Sequence, residues 1–107
     1  MKRISLLVVA CTALVVAVPS HAVTGNEYRA LSETSRQAWV AGTIDGILTA
    51  QLVLAQKQPA LAKCLSQLVV AQQRAIFEKA LEADPERWHF PAAFKLLTTF
   101  NEYCGVK

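Results

Sequence analysis

The chain is short of the residues from which most catalytic and metal sites are made. It has two histidines, His21 and His89, and the first falls in a segment read below as a leader. That leaves one imidazole for any triad, and no serine sits in a G-x-S-x-G setting. There is no Gly-rich phosphate loop and no spaced pair of carboxylates, and no Cys-x-x-Cys spacing of the kind a dithiol redox centre uses. A metal site would need His89 together with two reduced cysteines, so neither a metal nor a cofactor is expected. Enzyme activity has no support. No basic cluster or charge run stands out, which removes the case for nucleic acid as a partner. Strand-like alternation, internal repeats and low-complexity tracts are absent as well.

What the chain does have is an apolar start. Lys2 and Arg3 precede a run from Ile4 to Val18 broken only by Ser5, Cys11 and Thr12, followed by Pro19 and Ser20-His21-Ala22. This is the pattern of a secretory signal peptide over residues 1–22, with cleavage expected after Ala22. The run is shorter than the roughly 20 residues of a membrane-spanning helix. Val8-Val9-Ala10-Cys11 also has the look of a lipoprotein cleavage box, but the sequence stays apolar beyond Cys11, where a lipoprotein turns polar. The mature protein is then a single domain, residues 23–107, released into a periplasm-like compartment with no membrane insertion after cleavage. Once Lys2 and Arg3 leave, nine basic residues face eight acidic ones.

Loss of Cys11 leaves Cys64 and Cys104, which allow one intramolecular pairing in an oxidising compartment. That bridge would close a loop of about 40 residues and contribute roughly 4 kcal/mol. A domain this small often has a marginal core, so such a staple matters. An intermolecular bridge and a redox pair are the competing readings, and the missing Cys-x-x-Cys spacing counts against the second.

The mature chain reads as helical throughout. After a short lead over 23–26, a proline-free segment from about Glu27 to Gln56 places Leu31, Ala38, Trp39, Val40, Ile44, Ile47, Leu48 and Leu52 on a broad stripe. Such a stripe suits a central, mostly buried helix. Ser32 or Ser35 offers a cap at which it divides in two. Gly42 and Gly46 lie four apart within it, each costing about 1 kcal/mol against alanine. Close approach of another helix would explain them, and a kink is the alternative. Arg36, Asp45 and Gln51 argue against a membrane dimer motif. Asp45 itself is read first as the solvated edge, with a buried hydrogen-bonding role or an arginine partner as alternatives.

Lys57 to Lys63, with Pro59, reads as a connector ahead of Cys64. Ser66 is placed to cap a second helix to about Ala83, with Leu68, Val69, Ile76, Phe77, Ala80 and Leu81 apolar. Asp84-Pro85 is a stop and restart. A short turn is expected over 85–89, then a helix from about 91 to 103 that turns Phe90, Ala93, Phe94, Leu97, Phe100 and Cys104 to the core. His89, beside Trp88, is expected to meet a backbone carbonyl with its ring. The fold class is all-α: a compact bundle of three to five helices stapled by one disulfide.

The order of motifs resembles a known family. Trp39-Val40-Ala41-Gly42-Thr43-Ile44-Asp45-Gly46 is followed by Cys64, Gln67-Leu68-Val69-Val70 and Glu78-Lys79-Ala80-Leu81-Glu82-Ala83-Asp84-Pro85. Then come Trp88-His89, Ala92-Ala93 and Cys104. This is similar to the Rap/Tai family of small periplasmic immunity proteins, over about Tyr28 to Cys104. The resemblance implies a helical, disulfide-stapled protein that acts by binding. Its partner would be a cognate peptidoglycan amidase effector delivered by type VI secretion, whose active cleft it occludes; some members act as homodimers. It carries over the Cys64–Cys104 pair and the scaffold positions Gly42, Asp45, Gly46, Pro85 and His89. Contact residues vary with the toxin and do not carry over by motif. Because loops usually bear function, Lys57, Gln58 and Lys63 in one loop and Glu86, Arg87 and Trp88 in another are the candidates. A small periplasmic chaperone or envelope-stress protein is the alternative from another class, and a structural subunit of an envelope complex fits the same composition.

Overall fold

Small polar residues and prolines set where the helices start and stop. The computed structural model describes residues 22–53 and 59–105, which hold five α-helices: α1 (Gly25–Ala30), α2 (Glu33–Val53), α3 (Pro59–Ser66), α4 (Val70–Glu82) and α5 (Ala92–Tyr103). Lys57, Gln58 and the leader to residue 21, Cys11 included, lie outside the described residues. Thr24 caps α1 through a reciprocal box: the Glu27 N–H donates to Thr24 Oγ1 and the Thr24 N–H to the Glu27 carboxylate, both at 3.2 Å. Leu31 is extended and ends α1, and Ser32 Oγ accepts the Ser35 N–H at 3.2 Å to start α2. The restart anticipated at Ser32 is therefore present.

The core is formed by Tyr28 of α1, Val40 and Ile44 of α2, Leu61 and Leu65 of α3, Phe77 and Leu81 of α4, and Ala92, Leu96 and Phe100 of α5. Tyr28, Trp39 and Phe77 meet ring to ring with centroids 5.0 to 5.7 Å apart. This aromatic knot, worth more than its buried area alone, fastens α1 and α2 to α4. Cys64 and Cys104 are disulfide-bonded and tie α3 to the C-terminal cap of α5. Gly105 follows with φ +67°, the left-handed position that commonly ends a helix.

Four expectations are corrected here. Residues 59–66 form a helix instead of a connector. Pro59 takes its first position, where the missing N–H costs nothing. Ser66 accordingly closes α3, donating to the Lys63 carbonyl at 2.8 Å, and α4 starts after Val69, whose N–H donates to Gln72 Oε1 at 3.0 Å. α2 is not a mostly buried helix. Val40 and Ile44 are its buried residues, and Leu52 and Val53 are 84% and 77% exposed because its last turns run beyond the core. Gly42 and Gly46 do not admit a neighbouring helix: a Cβ at either would meet no atom within 4 Å among the described residues. They lie with exposed Asp45 on the side of α2 opposite Val40 and Ile44, as a 100° step per residue requires. Finally, the inward face of α5 is only partly the expected one. Phe100 is buried and Leu97 and Cys104 pack against the core as expected, but Ala92 and Leu96 fill the rest of it, while Ala93 is exposed and Phe90 and Phe94 stay 44% and 63% exposed.

Candidate functional site

The segment between α4 and α5 is held by contacts from both neighbouring helices and from the N-terminal segment. Pro85–Arg87 is one turn of 3-10 helix, with Asp84 before it and Pro85 in its first position, the stop and restart anticipated there. The Asp84 carboxylate leaves the cap to the backbone and takes Lys95 Nζ at 3.1 Å, with the Arg87 guanidinium at 3.6 Å. Trp88 turns inward, and its indole N–H donates to the Leu81 carbonyl at 2.7 Å. Arg29 stacks over the indole at 3.5 Å while its Nε pairs with Glu82 at 2.7 Å.

The backbone here is clamped from the other side by the N-terminal segment. The N–H groups of Gly25 and Asn26 donate to the carbonyls of Phe90 (3.1 Å) and Trp88 (2.8 Å). The Ala92 N–H donates to the Val23 carbonyl at 2.7 Å, and Thr24 and Pro91 form an isolated bridge. This approach needs a residue without a side chain, since a Cβ on Gly25 would stand 3.0 Å from the Trp88 Cα and carbonyl oxygen. What the clamped corner presents outward is Glu86, Arg87, His89, Phe90 and Phe94, all exposed. The His89 ring lies against Phe90 with centroids 4.3 Å apart.

The candidate residues therefore divide. Glu86 and Arg87 stand on the exposed corner as a loop reading requires. Trp88 is instead an internal anchor. The carbonyl contact expected of His89 is made by its neighbour, and His89 makes no hydrogen bond among the described residues. Lys63 lies on α3 and not in a loop. Spacing alone places Phe90 and Phe94 in the core, and both are exposed. The run from Phe90 to Cys104 is apolar on two faces, so spacing left its rotation open.

A second polar cluster lies at the half-buried edge where α1, α2 and α4 meet. The Glu78 carboxylate accepts the Tyr28 hydroxyl at 2.9 Å and Arg74 Nε at 2.8 Å, and the Arg36 guanidinium stands 3.6 Å away. Arg74 reaches on to Glu33 at 3.4 Å. Arg36 also donates to the carbonyls of Leu31 (3.1 Å) and Arg29. Burial by itself would raise the Glu78 carboxyl, but the hydrogen bonds from Arg74 and Tyr28 and the two guanidinium charges hold it below the usual glutamate range. Burial and the adjacent carboxylate push the Tyr28 phenol well above its ordinary value. The pair is thus fixed as carboxylate and neutral phenol with their hydrogen-bonding capacity turned on each other, an arrangement that fastens α1, α2 and α4 and leaves no poised acid or base.

Among the described residues no group of three His, Cys, Asp or Glu side chains converges as a metal site, and no helix is long and apolar enough to cross a membrane. The disulfide is compatible with an oxidising compartment. No family model, no curated protein and no solved structure matches this chain.

Proposed function

We propose that the mature chain is a periplasmic immunity protein. It binds a peptidoglycan-cutting amidase delivered by type VI secretion and occludes its active cleft through the corner at residues 84–94. The observation that carries this reading is the exposure of Phe90 and Phe94 on a backbone already clamped to α1. Buried aromatic anchors dominate protein interfaces, and a backbone held in its bound shape avoids the ordering cost of association. Glu86, Arg87 and His89 supply a polar rim around the rings. The export signal, the disulfide and the order of motifs support the same reading.

The test uses oxidised residues 23–107 against purified type VI amidases of the source strain and its neighbours, with hydrolysis of isolated cell-wall sacculi as the readout. The expected result is stoichiometric inhibition of one of them. Phe90→Ser with Phe94→Ser should weaken that inhibition at least about 30-fold, a loss of some 2 kcal/mol, with an unchanged melting temperature. Inhibition of none of them would overturn the reading. If the protein instead suppressed aggregation of unrelated unfolded proteins, the chaperone reading would replace it.

A further inference from the structure

α3 is joined to the rest of the molecule differently from the other helices. Its own side chains place Leu61 and Leu65 in the core. Among the described residues, one hydrogen bond, from Gln73 Nε2 to the Leu65 carbonyl at 3.1 Å, reaches it from α4. The other specific link among the described residues is covalent, from Cys64 to Cys104 at the end of α5. The other four helices are held by contacts that bypass it: the aromatic knot of Tyr28, Trp39 and Phe77, the ionic hub at Glu78, and the backbone bonds from residues 23–26 to 88–92. With eight residues, α3 is well short of the ~12–15 at which an isolated helix becomes even marginal in water. Both cysteine residues keep partial solvent exposure.

We propose that α3 is a reduction-releasable segment: cutting the Cys64–Cys104 bond lets α3 undock and unfold while α1, α2, α4 and α5 stay assembled. This holds whether or not the protein is an amidase inhibitor. The chemistry is exchange with a dithiol reductant. One thiolate of the reductant attacks a cysteine sulfur, forming a mixed disulfide and releasing the other cysteine as a thiolate. The second reductant thiol then resolves the mixed disulfide. Two electrons pass, the protein ends with two thiols, and the reductant ends as a disulfide. Release uncovers Leu61 and Leu65 and the part of the core they cover, an apolar surface absent from the oxidised protein. It is a local opening of the kind that precedes global unfolding in many domains.

Amide hydrogen exchange on residues 23–107, oxidised and after dithiothreitol, tests this directly. Reduction should speed exchange in α3 at least ~100-fold and leave α4 and α5 within ~10-fold of their oxidised rates, as independent opening requires. Trypsin should cut after exposed Lys63 in the reduced protein and spare it in the oxidised one. The double variant Cys64→Ser with Cys104→Ser should reproduce both patterns without reductant. Loss of protection in all helices together, by either route, would overturn the proposal, as would an α3 whose protection survives reduction.

Discussion

One substitution made at three places separates a crowded glycine from two open ones. Gly25→Ala puts a methyl between α1 and the corner, 3.0 Å from the Trp88 Cα and carbonyl oxygen and 3.1 Å from Leu81 Cδ1. The leucine end can rotate away. The Trp88 backbone cannot, because its carbonyl already accepts the Asn26 N–H at 2.8 Å and its indole is bonded to Leu81. α1 must therefore back off by about 0.5 Å, straining the 3.1 Å bond from Gly25 to Phe90. Overpacking of this kind costs about 1–3 kcal/mol. At about 4–8 °C per kcal/mol for a domain of this size, the melting temperature should fall by roughly 5–20 °C. Gly42→Ala and Gly46→Ala place the same methyl in open space inside a helix. Each should stabilise by about 1 kcal/mol through helix propensity alone and so raise the melt. Thermal unfolding followed by circular dichroism separates the signs. A Gly25→Ala protein that melts with or above the parent would refute the close approach. A Gly42→Ala protein that melts lower would mean that the face of α2 is not open.

Glu78→Gln leaves two guanidinium groups around a neutral amide and should cost about 1–3 kcal/mol in urea unfolding. Because the folded carboxyl titrates below its ordinary value of 4.5, its contribution is present above that pH and is lost as pH falls through the folded value. Parent stability should thus decline on the acid side, and the Gln variant should decline less. The Tyr28 phenol is displaced in the other direction, so its contribution is complete below its ordinary value of 10.0 and lost as pH rises through the folded one. Tyr28→Phe should cost about 1.5–3 kcal/mol at neutral pH and flatten the alkaline limb of the same unfolding measurement. Trp88→Phe keeps a ring under Arg29 but removes the indole bond to the Leu81 carbonyl, which keeps the Asp84 N–H at 3.2 Å, and should cost about 0.5–1.5 kcal/mol by the same assay.

The helical class, the cysteine pair, the break at Ser32 and the turn opened by Asp84-Pro85 were legible because each rests on local chemistry: periodicity, a capping hydroxyl, a proline. α3 was less legible because a short stretch holding Pro59 reads as well as a connector. The proline's fixed φ suits the first position of a helix equally well, and Leu61 and Leu65 at a spacing of four were the available signal. The rotation of α5 was not legible for a different reason. Phe100 was legible, but Phe90 and Phe94 match Leu96 in hydrophobicity, and the start of the helix is fixed by the remote bond from the Ala92 N–H to the Val23 carbonyl. The same holds for Gly25, whose partner is 63 positions along the chain at Trp88. Gly42 and Gly46 misled in the opposite sense, since a glycine spacing says that a helix is able to approach and not that one does.

The pairing of residues 23–26 with residues 88–92 also governs when the protein is able to fold. A chain appearing amino end first has no carbonyl to receive the N–H groups of Gly25 and Asn26, and no Phe77 against which to seat Tyr28, until most of its length has followed. Contacts so far apart in sequence form slowly, because a long loop must close before they repay it. The backbone clamp on the first helix is therefore completed only after Ala92 has emerged, although its contacts with α4 become available earlier.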